Sequence, residues 1–276
     1  MIDILLEPFS YKYMNNAIWI STLVGYICAF LSAYLTLKGW SLIGDALSHS
    51  IIPGVVVANM VGLPFSICAF ISGGLASGAM VLIKKKTHLQ EDAVIGIIFT
   101  SFFSMGLFIL SLYPSSINIH TILFGNVLAI TKPDTLQVLI ISAVTLAVLI
   151  LKWRDFMILF FDENHAQSIG MNTNYLKILF FTLLSASTIA AFQTVGAFLV
   201  IAMVVTPGAT AYLLTKSFGK LIIISSIIGA VTSFSGAYIS YFLNCATGGI
   251  IVVMQTIFFL LAFFITSNSR VFKIKT

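Results

Sequence analysis

The stretch AIWISTLVGYICAFLSAYLTL, Ala17 to Leu37, contains no charged side chain. It reaches the roughly 20 residues that an α-helix needs to cross the hydrocarbon core of a bilayer. Inside lipid the backbone must satisfy its own hydrogen bonds, so such a run is read as a helix. The same reading repeats along the chain. Apolar segments near 17–37, 44–61, 64–83, 93–112, 135–151, 175–192, 194–214, 221–243 and 247–267 predict nine spans. The count is eight if 175–214, broken by Gly196, Pro207 and Gly208, makes a single crossing. Hydrophobic residues form 59% of the 276-residue chain and charged residues 8%, with a mean hydropathy of +1.07. Soluble domains carry about 25% charged residues, so this composition cannot cover a water-facing surface. The expected architecture is all-α, a polytopic membrane bundle forming one domain over 1–276.

The net charge of +5 is not a nucleic-acid signal, because the basic residues sit singly or in short groups at the ends of apolar segments. There they set orientation through the excess of Lys and Arg on the cytoplasmic side. With the C-terminus cytoplasmic, nine spans leave only Lys12 and Lys132 outside, so 12 of the 14 basic residues face the cytoplasm. The N-terminus is then extracytoplasmic. The first 16 residues include Asp3, Glu7 and Lys12 and lack the apolar core of a cleavable leader; they read as an amphipathic interfacial stretch. Residues 113–134 contain Pro114 and Pro133, and their apolar piece, Thr121 to Ile130, is too short to span. It is expected to lie at the interface or re-enter. Cys28, Cys68 and Cys245 show no metal-type spacing and are expected to pack as small apolar residues without a disulfide.

Asp45 and His49 stand four residues apart inside the second apolar segment. On a helix they share one face. An ionisable residue inside the membrane is expensive and usually faces protein or a water-filled path, and carboxylate plus imidazole is a ligand pair for a borderline divalent metal. The competing reading makes Asp45 the cap of a helix and His49 a packing contact; the two residues alone leave both open. The longest cytoplasmic loop, 152–174, is also the most polar. Its sequence Asp162-Glu163-Asn164-His165-Ala166-Gln167-Ser168-Ile169-Gly170 predicts a short helix capped by Asp162 and ended by Gly170. Glu91 and Asp92 open a span, where carboxylates suit the helix dipole. Gly74-x-x-x-Gly78 permits close helix approach, and Pro53-Gly54 and Pro207-Gly208 are expected to break or kink their helices. His88, His120 and His165 read as loop histidines. No phosphate-binding loop, zinc-protease motif or nucleophile elbow is present. The chain is therefore not expected to be an enzyme, and active transport would draw its energy from an ion gradient or a separate ATPase.

Four stretches together resemble the permease subunit of bacterial ABC importers for manganese, iron or zinc. They are Leu37 to Gly54, with Gly44-Asp45-Ala46-Leu47-Ser48-His49 and then Pro53-Gly54; Glu91 to Gly96; Leu123-Phe124-Gly125-Asn126; and Val195 to Met203 followed by Thr206-Pro207-Gly208-Ala209. The resemblance covers nearly the whole chain. It implies an inner-membrane permease that pairs with a second permease chain, identical or paralogous. It implies cytoplasmic ATPase subunits that consume the ATP and an extracytoplasmic binding protein that delivers the metal. The only ion involved is then the transported one, with no permanently bound cofactor. The resemblance favours Asp45 and His49 as metal contacts, and makes the 152–174 loop the coupling element, with Asp162, Glu163, Ala166 and Gly170 shaping the ATPase contact. The alternative is a secondary, proton-coupled metal transporter, which would work without an ATPase.

Overall fold

The computed structural model describes residues 2–40, 42–87, 89–113 and 132–274. Within them the chain forms helices only: α1 (Ile2–Ser10), α2 (Lys12–Lys38), α3 (Ile43–Ser50), α4 (Ile52–Val61), α5 (Phe65–Lys86), α6 (Glu91–Leu112), α7 (Lys132–Leu151), α8 (Trp153–Phe161), α9 (Glu163–Ser168), α10 (Thr173–Val195), α11 (Ala197–Leu214), α12 (Phe218–Leu243) and α13 (Thr247–Ile274). Seven of these described helices, α2, α5, α6, α7, α10, α12 and α13, are long and apolar enough to cross a membrane. The other two expected spans take different forms. Segment 44–61 is divided into α3 and α4, and 194–214 is the shorter helix α11. The first span also starts earlier than its composition suggests. α2 begins at Lys12, and Met14 is buried against Ala237, with α1 set beside it through Phe9 and Phe234. The Leu123–Asn126 stretch, the Thr121–Ile130 piece, His88 and His120 lie outside the described residues.

α2 is the axis of the bundle. It packs against α12, α11, α10 and α7, while α6, α7 and α13 turn most of their surface outward. Between helices in lipid the hydrophobic effect contributes little, so close packing and hydrogen bonds must hold the bundle. The α2–α12 crossing shows both. A Cβ at Gly25 would overlap Ser233, and one at Gly229 would overlap the Gly25 carbonyl. Ser225 Oγ donates to the Ala29 carbonyl at 2.6 Å across the same contact. A second group, α3 to α6, is joined to the first through α10 and α11, and α4 lies between α5 and α6. A Cβ at Gly54 would overlap the Cys68 carbonyl, so α4 approaches α5 with backbone against backbone. Gly74 and Gly78, in contrast, have open space where a Cβ would stand, so that motif faces away from the rest of the chain.

Candidate functional site

Asp45 and His49 sit on α3 with His49 Nε2 3.3 Å from Asp45 Oδ1. The opposite face of α3 is buried: Ile43, Ala46 and Leu47 are each at most 3% exposed. Those residues fix the helix, which packs against α6, α11, α5 and α10. The polar face is left to the pair, and the side chains of His49 and Asp45 are 15% and 37% exposed. Asp45 is not the cap. Leu42 occupies that position and forms no side-chain cap bond. Asp45 lies in the first turn of the helix, where the dipole still favours a carboxylate. Around the His49 ring stand two phenyl rings of α6, Phe99 at 5.1 Å and Phe103 at 5.3 Å, both edge-to-face. His49 Nδ1 is buried and has no hydrogen-bond partner among the described residues.

The donor spacing suits a cation. Two ligands about 2.0–2.2 Å from a metal, subtending between a right and a tetrahedral angle, lie about 2.8–3.6 Å apart. Among the described residues, however, no three His, Cys, Asp or Glu side chains gather into a metal site. Among the described residues the α3 pair is therefore two donors, a carboxylate and an imidazole, without a third beside them.

Proline marks two places where the helical ladder loses a donor, and a serine from a neighbouring helix stands at each. Pro53 opens α4 immediately beyond the pair; there Ser72 of α5 donates from Oγ to the Ser50 carbonyl at 2.6 Å. Of the break or kink expected at Pro207, a break is absent, and α11 runs through. Ser32 of α2 donates to the Val205 carbonyl at 3.1 Å and accepts from the Gly208 N–H at 3.0 Å. That double contact holds the helix together across the proline.

The loop helix lies where the polar sequence predicts. Asp162 caps α9, its Oδ1 accepting from the Asn164 and His165 N–H groups at 2.9 and 3.1 Å. Gly170, with φ of +81°, turns the chain away in a conformation that side-chain-bearing residues avoid. Ala166 is fully buried beneath the helix, while Asn164, His165, Gln167 and Ser168 are exposed. Glu163 faces inward to Lys177 of α10 (Nζ–Oε1 2.5 Å). Both line a cavity of about 400 Å³ together with Trp40, Ile43, Lys84 and Gln167. Beside this helix, Lys152 donates to Asp155 at 2.9 Å, a hydrogen bond that raises the lysine above its ordinary pKa.

Trp40 links this end to the metal-type pair. Its ring stacks on Phe181 and meets Phe160 edge-on, both at 5.5 Å. Phe160 and Phe180 in turn pack on Tyr34, whose Oη donates to the Trp153 carbonyl. α3 starts three residues after Trp40. At about 1.5 Å per helical residue, Asp45 and His49 lie roughly 3 and 9 Å farther along α3 than the cavity-lining Ile43. Sequence reading missed three of these features: the Phe99–Phe103 pair around His49, the Lys177 partner of Glu163, and the Trp40 cluster. Only the first left a signal, two phenylalanines four apart on one helical face.

The match to known proteins covers almost the whole chain. Residues 10–266 carry the signature described as the ABC 3 transport family. The chain belongs to that family. It resembles the chelated iron transport system membrane protein YfeC of Yersinia pestis, with 60% identity over 264 residues, 96% of this chain and 90% of that protein. It is 45% identical over 258 residues to the manganese transport system membrane protein MntB of Synechocystis, covering 94% of this chain and 84% of that protein. Among solved structures, PsaBC from Streptococcus pneumoniae in complex with Fab superimposes with a TM-score of 0.87 at 35% identity, over the full length of both chains. The chain is thus the multi-pass inner-membrane permease of an ABC transport system, not an enzyme. Lys84, Lys177 and the residues of α9 Glu163 and Gln167 line the same cavity, so the basic ends of α5 and α10 meet the loop helix at one end of the bundle.

Proposed function

We propose that this permease carries a divalent transition metal, Mn²⁺ or Fe²⁺, into the cell past Asp45 and His49. The observation that carries the proposal is the 3.3 Å pairing of an imidazole nitrogen with a carboxylate oxygen on α3. Relatives named for manganese and for chelated iron support the choice of cargo. A second permease chain on a two-fold axis would bring two carboxylates and two imidazoles together, completing what a single chain leaves half-built. Such a mixed oxygen and nitrogen set suits Mn²⁺ or Fe²⁺ and tolerates Zn²⁺. An extracytoplasmic binding protein delivers the ion. Cytoplasmic ATPases, which consume the ATP, dock on α9, the helix shaped by Asp162, Glu163, Ala166 and Gly170. Their stroke reaches α3 through the Glu163–Lys177 pair and the Trp40 cluster. The permease itself supplies the ligands and the alternating access. The match to the ABC 3 transport family favours ATP as the energy source over a secondary proton-coupled mechanism.

The test is metal uptake by proteoliposomes holding permease, ATPase and binding protein, with ATP enclosed and no proton gradient. Wild type is compared with Asp45→Asn and His49→Ala, and Fe²⁺ and Zn²⁺ compete against labelled Mn²⁺. Both variants should lose uptake while retaining assembly. Full uptake by both would return the pair to a packing role, and uptake that needs a proton gradient but no ATP would overturn the energy source.

A further inference from the structure

Metal-binding imidazoles almost always donate their second ring N–H to a carboxylate, a carbonyl or water. That outer contact orients the ring and strengthens it as a ligand, and its loss costs roughly 10–100-fold in affinity or activity. His49 has a different setting. Nε2 faces Asp45, while Nδ1 is buried without a hydrogen-bond partner among the described residues. Two phenyl rings pack edge-to-face on the imidazole, Phe99 at 5.1 Å and Phe103 at 5.3 Å, four residues apart on α6. They are themselves stacked at 6.0 Å, with planes 19° apart, so they form one rigid aromatic wall.

We propose that Phe99 and Phe103 are positioning residues for metal transit, resting on the reading of Asp45 and His49 as ion contacts. The wall performs two tasks at once. It fixes the imidazole plane so that Nε2 stays toward Asp45. It also withholds from Nδ1 the hydrogen bond that a resident metal site supplies, leaving His49 well aimed but weak. A conducting site requires that combination, because an ion must enter readily and still leave. An aromatic pair orients the ligand without strengthening it; a carboxylate in the same place would hold the ion too long.

The experiment uses the complete importer in proteoliposomes with Mn²⁺ as the probe, reading half-saturating concentration and maximal uptake rate separately. Phe99→Leu and Phe103→Leu remove the wall and free the ring. Each should raise the half-saturating concentration roughly tenfold, with the maximal rate held within about twofold. Phe99→Gln and Phe103→Gln replace a ring packed on the imidazole with a side-chain amide that can accept from Nδ1. At least one should lower both the half-saturating concentration and the maximal rate, the signature of tighter binding and slower release. If a leucine variant does not assemble, Phe→Met, which also keeps apolar bulk without a ring, carries the same expectation. Leucine variants with unchanged half-saturation, or with a reduced maximal rate alone, would reduce the pair to ordinary packing. Glutamine variants that leave both parameters unchanged would remove the release argument. His49→Ala separates the two levels. Normal uptake there sinks the metal-contact reading itself, whereas dead His49→Ala beside kinetically silent leucine variants sinks only the aromatic wall.

Discussion

Ser72→Ala tests whether the break between α3 and α4 is held from outside. Ser72 Oγ donates to the Ser50 carbonyl at 2.6 Å, and the two residues are 6% and 0% exposed. Hydrogen bonds between helices in membrane proteins average about 0.6 kcal/mol and reach about 1.7. This one is short and fully enclosed, and its loss strips a donor from a buried carbonyl beside a proline, so it belongs near the upper end. The expected loss is about 1–1.5 kcal/mol, roughly a five- to twelvefold change in the unfolding equilibrium. Ser77 supplies the control. It lies on the same helix and is equally buried, but its hydroxyl donates within its own helix, to the Gly74 carbonyl at 3.0 Å. Ser77→Ala should stay within about 0.5 kcal/mol of wild type, and Ser72→Thr, which keeps the hydroxyl, should recover most of the loss. Stability would be read as the SDS-unfolding midpoint of the purified permease in mixed micelles, followed by tryptophan fluorescence. Equal midpoints for Ser72→Ala and Ser77→Ala would refute the idea that the cross-helix bond stabilises the break.

Three further outcomes are expected. Gly54→Ala should abolish folded permease in the membrane, because its Cβ would overlap the Cys68 carbonyl, whereas Gly74→Ala, with open space around it, should express normally; size-exclusion profiles decide between them. Glu163→Gln should cost less than about 1 kcal/mol of stability, since both members of the pair are partly solvated, yet lower metal imported per ATP hydrolysed, and exchanging the two charges (Glu163→Lys with Lys177→Glu) should restore the ratio. An unchanged ratio in Glu163→Gln would exclude the pair from coupling. Asp162→Ala removes the acceptor for two amide N–H groups and should loosen α9 by about 1 kcal/mol, seen as several-fold faster hydrogen exchange at Asn164 and His165; unchanged exchange would remove the cap from the argument.

Features that depend on neighbours in sequence were legible. The nine apolar segments each have a helical counterpart, because a charge-free run of membrane length has few alternatives. The capping of α9 by Asp162 and the common face of Asp45 and His49 follow from spacings of a few residues. Features that depend on distant residues were not. Pro53 and Pro207 look alike in sequence, but one stands at a true break and the other inside a continuous helix. The serines that meet them, Ser72 at the first and Ser32 at the second, belong to other helices. The start of α2 at Lys12 was hidden for a similar reason: Tyr11 to Asn16 is polar enough to suggest the interface, and only Ala237, more than 200 residues away, shows why Met14 is buried. Glu163 read as a surface contact because nothing near it in sequence marks Lys177 as its partner.

The central place of α2 also has a consequence for how the protein is made. Its principal neighbour is α12, and the ribosome must add the residues between Lys38 and Phe218 before that helix begins to emerge. At about 5–20 residues per second, α2 waits roughly 10–40 s with the Gly25 groove open and the Ala29 carbonyl still lacking the Ser225 hydroxyl. During that interval lipid or the insertion machinery must shelter a helix that ends up as the best-buried in the bundle. Biogenesis should therefore be more sensitive to changes on the inner face of α2 than the stability of the finished permease is.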